Sequence, residues 1–120
     1  MATFQILLLS IVLTILIEYA VLVALRERSA RILGASVVIN ILTNIPLNLY
    51  VLFVSNSTAA IALGEMLVFL LEGLWYWLFL RKLSKAFIYS FLCNAISFLT
   101  GLLIQIILAN FTSSHLLLTQ

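Results

Sequence analysis

Four polar residues interrupt an otherwise apolar sequence at spacings that could bring their side chains together. Glu18 and Asn40 lie eight and nine residues from the two ends of one basic segment. Glu72 and Asn94 each lie nine residues from the ends of a second basic segment. At 1.5 Å per helical residue, all four side chains would lie about 12–14 Å from these segments. We therefore expect them to form an acid–amide quartet at one depth.

The quartet would offer carboxylate and amide oxygens, which suit two kinds of chemistry. Hard cations such as Na⁺, Mg²⁺ and Ca²⁺ prefer oxygen ligands. Two buried carboxyls that approach each other repel when both are charged, so one is expected to hold a proton at neutral pH. Neither histidine nor cysteine is expected at this depth, so the pattern does not favour zinc, haem or an iron–sulfur cluster. The identity of any metal stays open, and no cofactor is expected.

A purely structural interpretation of the same residues also stays open. Glu18 would then only hydrogen-bond Asn40, and Glu72 only Asn94, holding each pair of helices together. Such contacts between membrane helices are worth about 0.6 kcal/mol on average. A neutral glutamine would serve that purpose, whereas a glutamate at the bilayer centre costs about 2.5–3.5 kcal/mol. The two acids therefore favour a functional site.

Further polar residues share helical faces with the quartet, because they recur at spacings of three to five residues. Polar stripes are costly against lipid, so all four should converge on a common interior. The stripes comprise Ser10, Thr14 and Glu18; Ser36, Asn40, Thr43, Asn44 and Asn48; Glu65, Glu72 and Tyr76; and Ser90, Asn94, Ser97, Gly101 and Gln105. The residues expected to line the outer half are Ser10, Asn48, Glu65 and Gln105. Glu65 itself is expected to be solvated or to contact a partner. The predicted ion- or substrate-binding residues are Glu18, Glu72, Asn40, Asn94, Thr43, Ser97, Asn44 and Glu65.

The composition indicates the elements that carry these residues. Hydrophobic residues make up 65% of the 120-residue chain and charged residues 8%, against about 45–50% and about 25% in soluble domains. A small soluble domain could not bury so much apolar surface. Disordered chains, in contrast, are poor in apolar residues. The chain is therefore expected to lie in a lipid bilayer.

Four segments contain the roughly 20 apolar residues that a transmembrane helix needs. A β-barrel is excluded because the apolar runs are long and unbroken rather than alternating. We predict an all-α, multi-pass bundle of four transmembrane helices that forms one membrane domain over residues 1–120. It divides into hairpin one at about 4–55, hairpin two at about 61–111, and a short polar tail at 112–120. The predicted helices are Phe4–Leu25, Ile32–Ser55, Ile61–Leu80 and Ala86–Phe111.

The distribution of positive charge predicts the orientation in the membrane. All six Lys and Arg residues lie in the two short segments 26–31 and 81–85. Positively charged short loops stay in the cytoplasm. These two loops are therefore predicted to be cytoplasmic, with both termini and the loop 55–60 outside. Glu27 is expected to be solvated among the arginines.

The two hairpins resemble each other at an offset of 54 residues. The coincidences involve uncommon polar types rather than the abundant aliphatic residues, which gives the alignment weight. Both hairpins would enter the membrane in the same direction, as a parallel repeat with a pseudo-two-fold axis along the membrane normal. The aligned pairs are Glu18 and Glu72, Arg28 and Lys82, Arg31 and Lys85, Ser36 and Ser90, Asn40 and Asn94, and Thr43 and Ser97.

Two further residues carry local predictions. Pro46 cannot donate a hydrogen bond to the carbonyl of Leu42, so the second helix should bend near Asn44. The bend would be either a packing kink or a source of exposed carbonyl ligands. Cys93 is the sole cysteine, which excludes an intrachain disulfide, and it is expected to pack as a small apolar residue.

Two functions of different classes remain. The first is a small transporter or channel coupled to protons or hard cations through the quartet. The second is a non-catalytic accessory or structural subunit of a larger membrane complex, with polar stripes packed on partner helices. The expected partners are the bilayer and either copies of the chain or other membrane subunits, and not nucleic acid. An enzyme is not predicted, because no nucleophile–base pair or metal motif is present and the single histidine, His115, lies in the tail.

Overall fold

A computed structural model of the chain describes the backbone of residues 2–118 and the side chains of residue 5, residues 7–107 and residue 110. This part of the chain forms four α-helices joined by short loops. Each helix is long and apolar enough to cross a membrane, which confirms the predicted all-α fold with four such helices. The helices are α1 (Ala2–Ala24), α2 (Ala30–Phe53), α3 (Thr58–Leu80) and α4 (Leu83–Leu118).

Each helix begins two or three residues before its predicted start, and α4 also ends later than predicted, whereas α1 and α2 end one or two residues earlier. Helix α3 begins at Thr58 rather than Ile61 because Ser57 caps it, accepting a hydrogen bond from the Ala60 N–H at 3.2 Å. Helix α4 begins at Leu83 and continues to Leu118, so its backbone includes most of the segment predicted as a polar tail. The side chains of that tail lie outside the described residues.

The helices pack in a ring in which α1 contacts α2 and α4, and α3 contacts α2 and α4. Short connections between sequential helices make neighbours antiparallel. The loops at 25–29 and 81–82 therefore lie at one end of the bundle, which we call the basic end, and residues 54–57 lie at the opposite end. Large apolar side chains cover the outer surface; Leu9 is 67% exposed and Phe53 is 76% exposed. Such a surface suits lipid rather than water.

An apolar core fills the bundle towards the basic end. It is formed by Leu22, Ile32, Tyr76, Ala86, Tyr89 and Cys93. Cys93 is fully buried in this cluster, which agrees with the prediction that it packs as a small apolar residue. Gly73 allows α4 to approach α3 closely, because a Cβ there would meet the ring of Phe87 at 2.7 Å.

Helix α2 runs without interruption through Pro46. The side chain of Asn48 donates to the carbonyl of Asn44 at 2.8 Å, so this carbonyl is engaged by the helix itself. The carbonyl that Pro46 leaves without a helical donor is that of Leu42, so this contact does not decide between a packing kink and a source of exposed carbonyl ligands.

Candidate functional site

The predicted quartet is assembled from one matching contact in each hairpin. Asn40 donates an amide hydrogen to Glu18 Oε2 at 2.5 Å, and Asn94 donates to Glu72 Oε2 at 2.5 Å. The second amide hydrogen of each asparagine binds a carbonyl one turn earlier on its own helix, at Ser36 and Ser90 respectively. Both amide groups are therefore fixed, and the acid of each hairpin is held by the asparagine of the same hairpin.

Helix α2 joins the two halves of the quartet. The Thr43 hydroxyl lies 3.0 Å from Glu72 Oε1 and 2.9 Å from the Ile39 carbonyl, so its single proton serves two acceptors. Asn44 donates to Asn40 Oδ1 at 2.8 Å, one turn further along the same face. The resulting network runs from Asn44 through Asn40 to Glu18, and from Thr43 to Glu72. The two carboxyls lie within range of electrostatic interaction with each other.

The quartet is withdrawn from the lipid-facing surface. Glu18, Asn40 and Glu72 have no exposed surface, and Asn94 is 8% exposed. Burial at this level inside an apolar bundle strengthens the electrostatic interactions between the polar groups. The central residues of the predicted stripes therefore lie in the interior, whereas Gln105 at the outer end of its stripe is exposed.

Three buried oxygens have no hydrogen-bond partner among the described residues. They are Glu18 Oε1, Ser36 Oγ and Tyr76 Oη. Ser97 nevertheless lies near enough to interact with the Glu18 carboxyl, and Ser36 near enough to interact with Tyr76. An unpaired buried polar atom carries a desolvation cost of about 1–3 kcal/mol. Natural proteins normally satisfy such atoms with protein groups, water or a ligand. Glu18 Oε1 is therefore the position in the quartet where a proton, a water or a cation would complete the hydrogen bonding or coordination.

A polar cavity of about 230 Å³ lies on the side of the quartet away from the basic end, and it is lined by neighbours of the quartet rather than by the four residues themselves. Asn44, which binds Asn40, lies in its wall, as does Thr14, one turn before Glu18. The apolar core closes the other side of the quartet. The polar residues that line this cavity are Ser10, Thr14, Asn44, Asn48, Glu65, Ser97 and Gln105.

The eight predicted site residues are divided between the quartet and this cavity. Glu18, Asn40, Glu72, Asn94 and Thr43 form the hydrogen-bonded centre. Ser97 and Glu65 line the cavity, and Asn44 connects the two. Ser97 donates to the Asn94 carbonyl at 3.2 Å. Glu65 lies within electrostatic range of both Glu18 and Glu72.

The prediction that Glu27 is solvated among the arginines is wrong. Its side chain is buried and accepts hydrogen bonds from the Ser29 N–H at 3.0 Å, the Tyr89 hydroxyl at 3.0 Å and Lys85 Nζ at 3.3 Å. Burial of the carboxyl raises its pKa, but these hydrogen bonds and the Lys85 charge outweigh burial, and the pKa of Glu27 lies below its ordinary value of 4.5. The carboxylate thus clamps the α1–α2 loop to α4 at the basic end.

The expectation that no cysteine lies at the depth of the quartet is also wrong. Cys93 Sγ lies 3.7 Å from the Glu18 carbonyl, within hydrogen-bond distance for sulfur. Its position directly before Asn94 in α4 places it within about 1.5 Å of the same level. In the part of the chain that the structure describes, no group of three His, Cys, Asp or Glu side chains is placed to hold a metal ion. A cation here would need amide, hydroxyl or carbonyl oxygens in addition to carboxylates.

Two interior residues were not predicted as part of the site. Tyr76 is fully buried on the basic side of the quartet, and Trp75 Nε1 donates to the Ala35 carbonyl at 3.0 Å, joining α3 to α2. The stripe of Glu65, Glu72 and Tyr76 indicated that Tyr76 faces inward. No spacing rule indicated the contact of Trp75, because it depends on how closely two helices approach.

Comparison of the chain with protein-family models, with curated proteins and with solved structures finds no match.

Proposed function

We propose that the protein is a small membrane transporter or channel that carries protons or hard cations through the acid–amide quartet. The observation that supports this most directly is the polar cavity, which leads from one end of the bundle to Asn44 and Thr14 beside the quartet. Its opposite side is closed by the apolar core. Polar space on one side of the quartet and an apolar core on the other are what we expect of one state of an alternating-access protein.

Within this function, Glu18 is the residue that takes up the proton or cation. Both oxygens of Glu72 accept hydrogen bonds, from Thr43 and Asn94, whereas Glu18 Oε1 has no partner among the described residues. The Glu72 carboxyl is held in place by these two hydrogen bonds. A cation or proton at Glu18 would relieve the repulsion between the two carboxyls.

The basic end is proposed to face the cytoplasm, so that the polar cavity opens to the outside. The support is the concentration of all Lys and Arg residues at that end. Single cysteines at Ser29 and Ser57, in a Cys93→Ala background, test this orientation. A membrane-impermeant thiol reagent added to intact cells should label position 57 and not position 29. The reverse pattern would contradict the orientation.

An accessory role, in which polar stripes pack on partner helices, has less support. It needs stripes on the outer surface of the bundle, whereas Glu18, Asn40 and Glu72 are fully buried inside it. Neutral amides would suffice to join helices, so the costly acids Glu18 and Glu72 are better explained by transport than by an accessory role.

The test is ion flux in proteoliposomes that contain a trapped pH dye or take up radioactive Na⁺. Glu18→Gln and Glu72→Gln are expected to lower the flux at least about tenfold, because each removes a titratable group from the quartet. The matched control is Glu27→Gln, which neutralises the buried acid at the basic end and leaves the quartet intact. Equal flux in wild type and in both quartet variants would contradict the proposal.

A further inference from the structure

Glu65 differs from every other acidic residue of the chain. Glu18, Glu27 and Glu72 each accept hydrogen bonds from protein groups. Glu65 makes no hydrogen bond or ion pair with any described residue, although its side chain is partly buried within a span long and apolar enough to cross a membrane. An acid at such a depth normally pairs with another group or lines an aqueous path. The cavities around Glu65 therefore indicate which kind of ligand could pair with its carboxylate.

Glu65 lies at the junction of two cavities. One is the polar cavity of about 230 Å³, where Ser10, Asn48 and Gln105 surround it. The other is a crevice of about 450 Å³ on the side of α3 and α4, which we call the α3–α4 crevice. Ile61, Glu65 and Phe98 line both cavities. The remaining residues of the crevice are Thr58, Ala62, Met66, Phe69, Phe91, Asn94 and Ala95.

The two cavities on either side of the Glu65 carboxylate differ in polarity. The polar cavity presents hydroxyl and amide groups, and its described wall contains no Lys or Arg, because all six lie at the basic end. The crevice is almost entirely apolar and contains three phenylalanines, of which Phe69 and Phe91 meet edge to face at 6.3 Å. Phe98 lines both cavities, and an aromatic ring beside a carboxylate favours an organic cation through cation–π attraction.

We propose that this junction binds an organic ammonium ion that carries one apolar or aromatic arm. The ammonium group lies against Glu65 in the polar cavity, and the arm occupies the α3–α4 crevice. The polar cavity alone is smaller than the roughly 300–1,000 Å³ of common ligand pockets, so it suits a compact cationic head. An inorganic cation would fit the oxygens of the cavity and would leave the crevice to lipid, because Met66, Phe91 and Phe98 lie on the outer surface.

The ligand site at Glu65 rests on the proposed transport function in one respect, namely that the bound ammonium ion is the transported cargo. Glu65 lies within electrostatic range of Glu18 and Glu72. A bound ammonium ion therefore interacts with the charge on the quartet, which gives a physical route for coupling cargo to protons or cations. Binding itself can be measured without any transport.

The experiment is equilibrium dialysis of the full chain, purified in mild detergent, with radiolabelled benzyltrimethylammonium. Saturable binding to wild type is expected, with at least about a tenfold higher Kd for Glu65→Gln, because a desolvated charge pair is lost. Glu65→Asp, which keeps the charge, should retain most of the affinity. Glu27→Gln is the matched control and should bind like wild type.

Competition by three compounds on the wild-type protein gives a readout that does not depend on a variant folding. Neopentylbenzene has the same shape without the charge, and it should compete poorly. Tetramethylammonium has the charge without the arm, and it should also compete poorly. Na⁺ at equal concentration should have little effect. Equal competition by neopentylbenzene would mean that the crevice takes any hydrocarbon, including lipid, and would overturn the proposal. Equal competition by tetramethylammonium or Na⁺, or equal binding by Glu65→Gln, would overturn it too.

The failures of this proposal and of the proposed function are distinguishable. An absence of benzyltrimethylammonium binding, combined with ion flux that depends on Glu18, would remove the Glu65 site and leave the transport function. Binding that depends on Glu65, combined with flux that is unchanged by Glu18→Gln and Glu72→Gln, would leave the site and remove the role of the quartet.

Discussion

The two hairpins share a central contact but differ in the groups around it. In each, an asparagine donates to a glutamate at 2.5 Å and to a backbone carbonyl one turn earlier. In hairpin two, Glu72 has a partner at both oxygens, and Ser90 donates to the Phe69 carbonyl at 2.7 Å. In hairpin one, Glu18 Oε1 and Ser36 Oγ have none among the described residues.

The central acid of hairpin two is fully hydrogen-bonded by the protein, whereas that of hairpin one has an oxygen without a partner among the described residues. Glu72, Asn94 and Ser90 of hairpin two are satisfied by the protein, so they stabilise the bundle. Tyr76 Oη of the same hairpin, in contrast, has no partner among the described residues. The unpartnered oxygens of hairpin one are available to a proton, water or cation. If the hairpins arose from one ancestral unit, as the offset of 54 residues suggests, the two copies have diverged in their free oxygens rather than in their central contact.

The largest expected effect comes from replacing each central acid with leucine. Glu72→Leu should lower the free energy of unfolding by about 2–4 kcal/mol, because Asn94 and Thr43 both lose an acceptor. Glu18→Leu should cost less, about 1–2 kcal/mol, because only Asn40 loses an acceptor and a buried oxygen without a partner is removed as well. Denaturant titration of both variants in the same detergent measures the difference. Equal losses would contradict the asymmetry between the hairpins.

A second asymmetry lies at the basic end, where Glu27 of hairpin one corresponds to Arg81 of hairpin two. Glu27→Gln should lower the free energy of unfolding by about 1–2 kcal/mol at neutral pH, because the carboxylate accepts three hydrogen bonds. The pKa of Glu27 is lowered from 4.5, so this stabilisation is present above pH 4.5 and is lost as the pH falls through the lower value in the folded protein. Unfolding measured across that pH range should show wild type and variant converging at acidic pH.

Arg81→Gln is the control for that measurement. Arg81 is exposed and makes no ion pair with the residues that the structure describes. Its substitution should change the free energy of unfolding by no more than about 0.5 kcal/mol. If the free energies of unfolding of wild type and Glu27→Gln differ by the same amount at acidic pH, the contact between the α1–α2 loop and α4 does not depend on the charge of the carboxylate.

The smallest expected difference separates the two matched serines. Ser90→Ala removes a hydroxyl that donates to the Phe69 carbonyl, and it should cost about 1 kcal/mol. Ser36→Ala removes a buried hydroxyl that interacts only weakly, with Tyr76, so its cost should be smaller than that of Ser90→Ala. Thermal unfolding of the two variants in parallel measures this. A larger loss for Ser36→Ala would indicate that an ordered water or ion occupies its position.

The spacing of polar residues was sufficient to predict the quartet. Helical periodicity fixes both depth and face, so the positions of Glu18, Asn40, Glu72 and Asn94 relative to the basic segments implied their meeting. The same reasoning placed Ser10, Asn48, Glu65 and Gln105 together, and all four line the polar cavity. In an apolar chain, burying a polar side chain away from lipid is a strong constraint, which makes such predictions reliable.

The features that sequence reasoning missed depend on distances between helices. The burial of Glu27 requires Tyr89 and Lys85 of α4 to reach the α1–α2 loop, and no local pattern encodes that approach. The unpartnered oxygen of Glu18 likewise depends on helix packing, because the Thr43 hydroxyl reaches Glu72 rather than Glu18. The α3–α4 crevice arises from the shapes of packed side chains rather than from their types.

The central claim, that Glu18 exchanges a proton or cation inside the bundle, can be tested by infrared difference spectroscopy of the reconstituted protein. Spectra recorded in acidic and alkaline buffer, with and without Na⁺, report the C=O stretch of a protonated carboxyl. We expect a carboxyl band that changes with these conditions, is absent in Glu18→Gln and is retained in Glu27→Gln. An identical band in wild type and Glu18→Gln, or no carboxyl band that responds to pH or Na⁺, would contradict the claim.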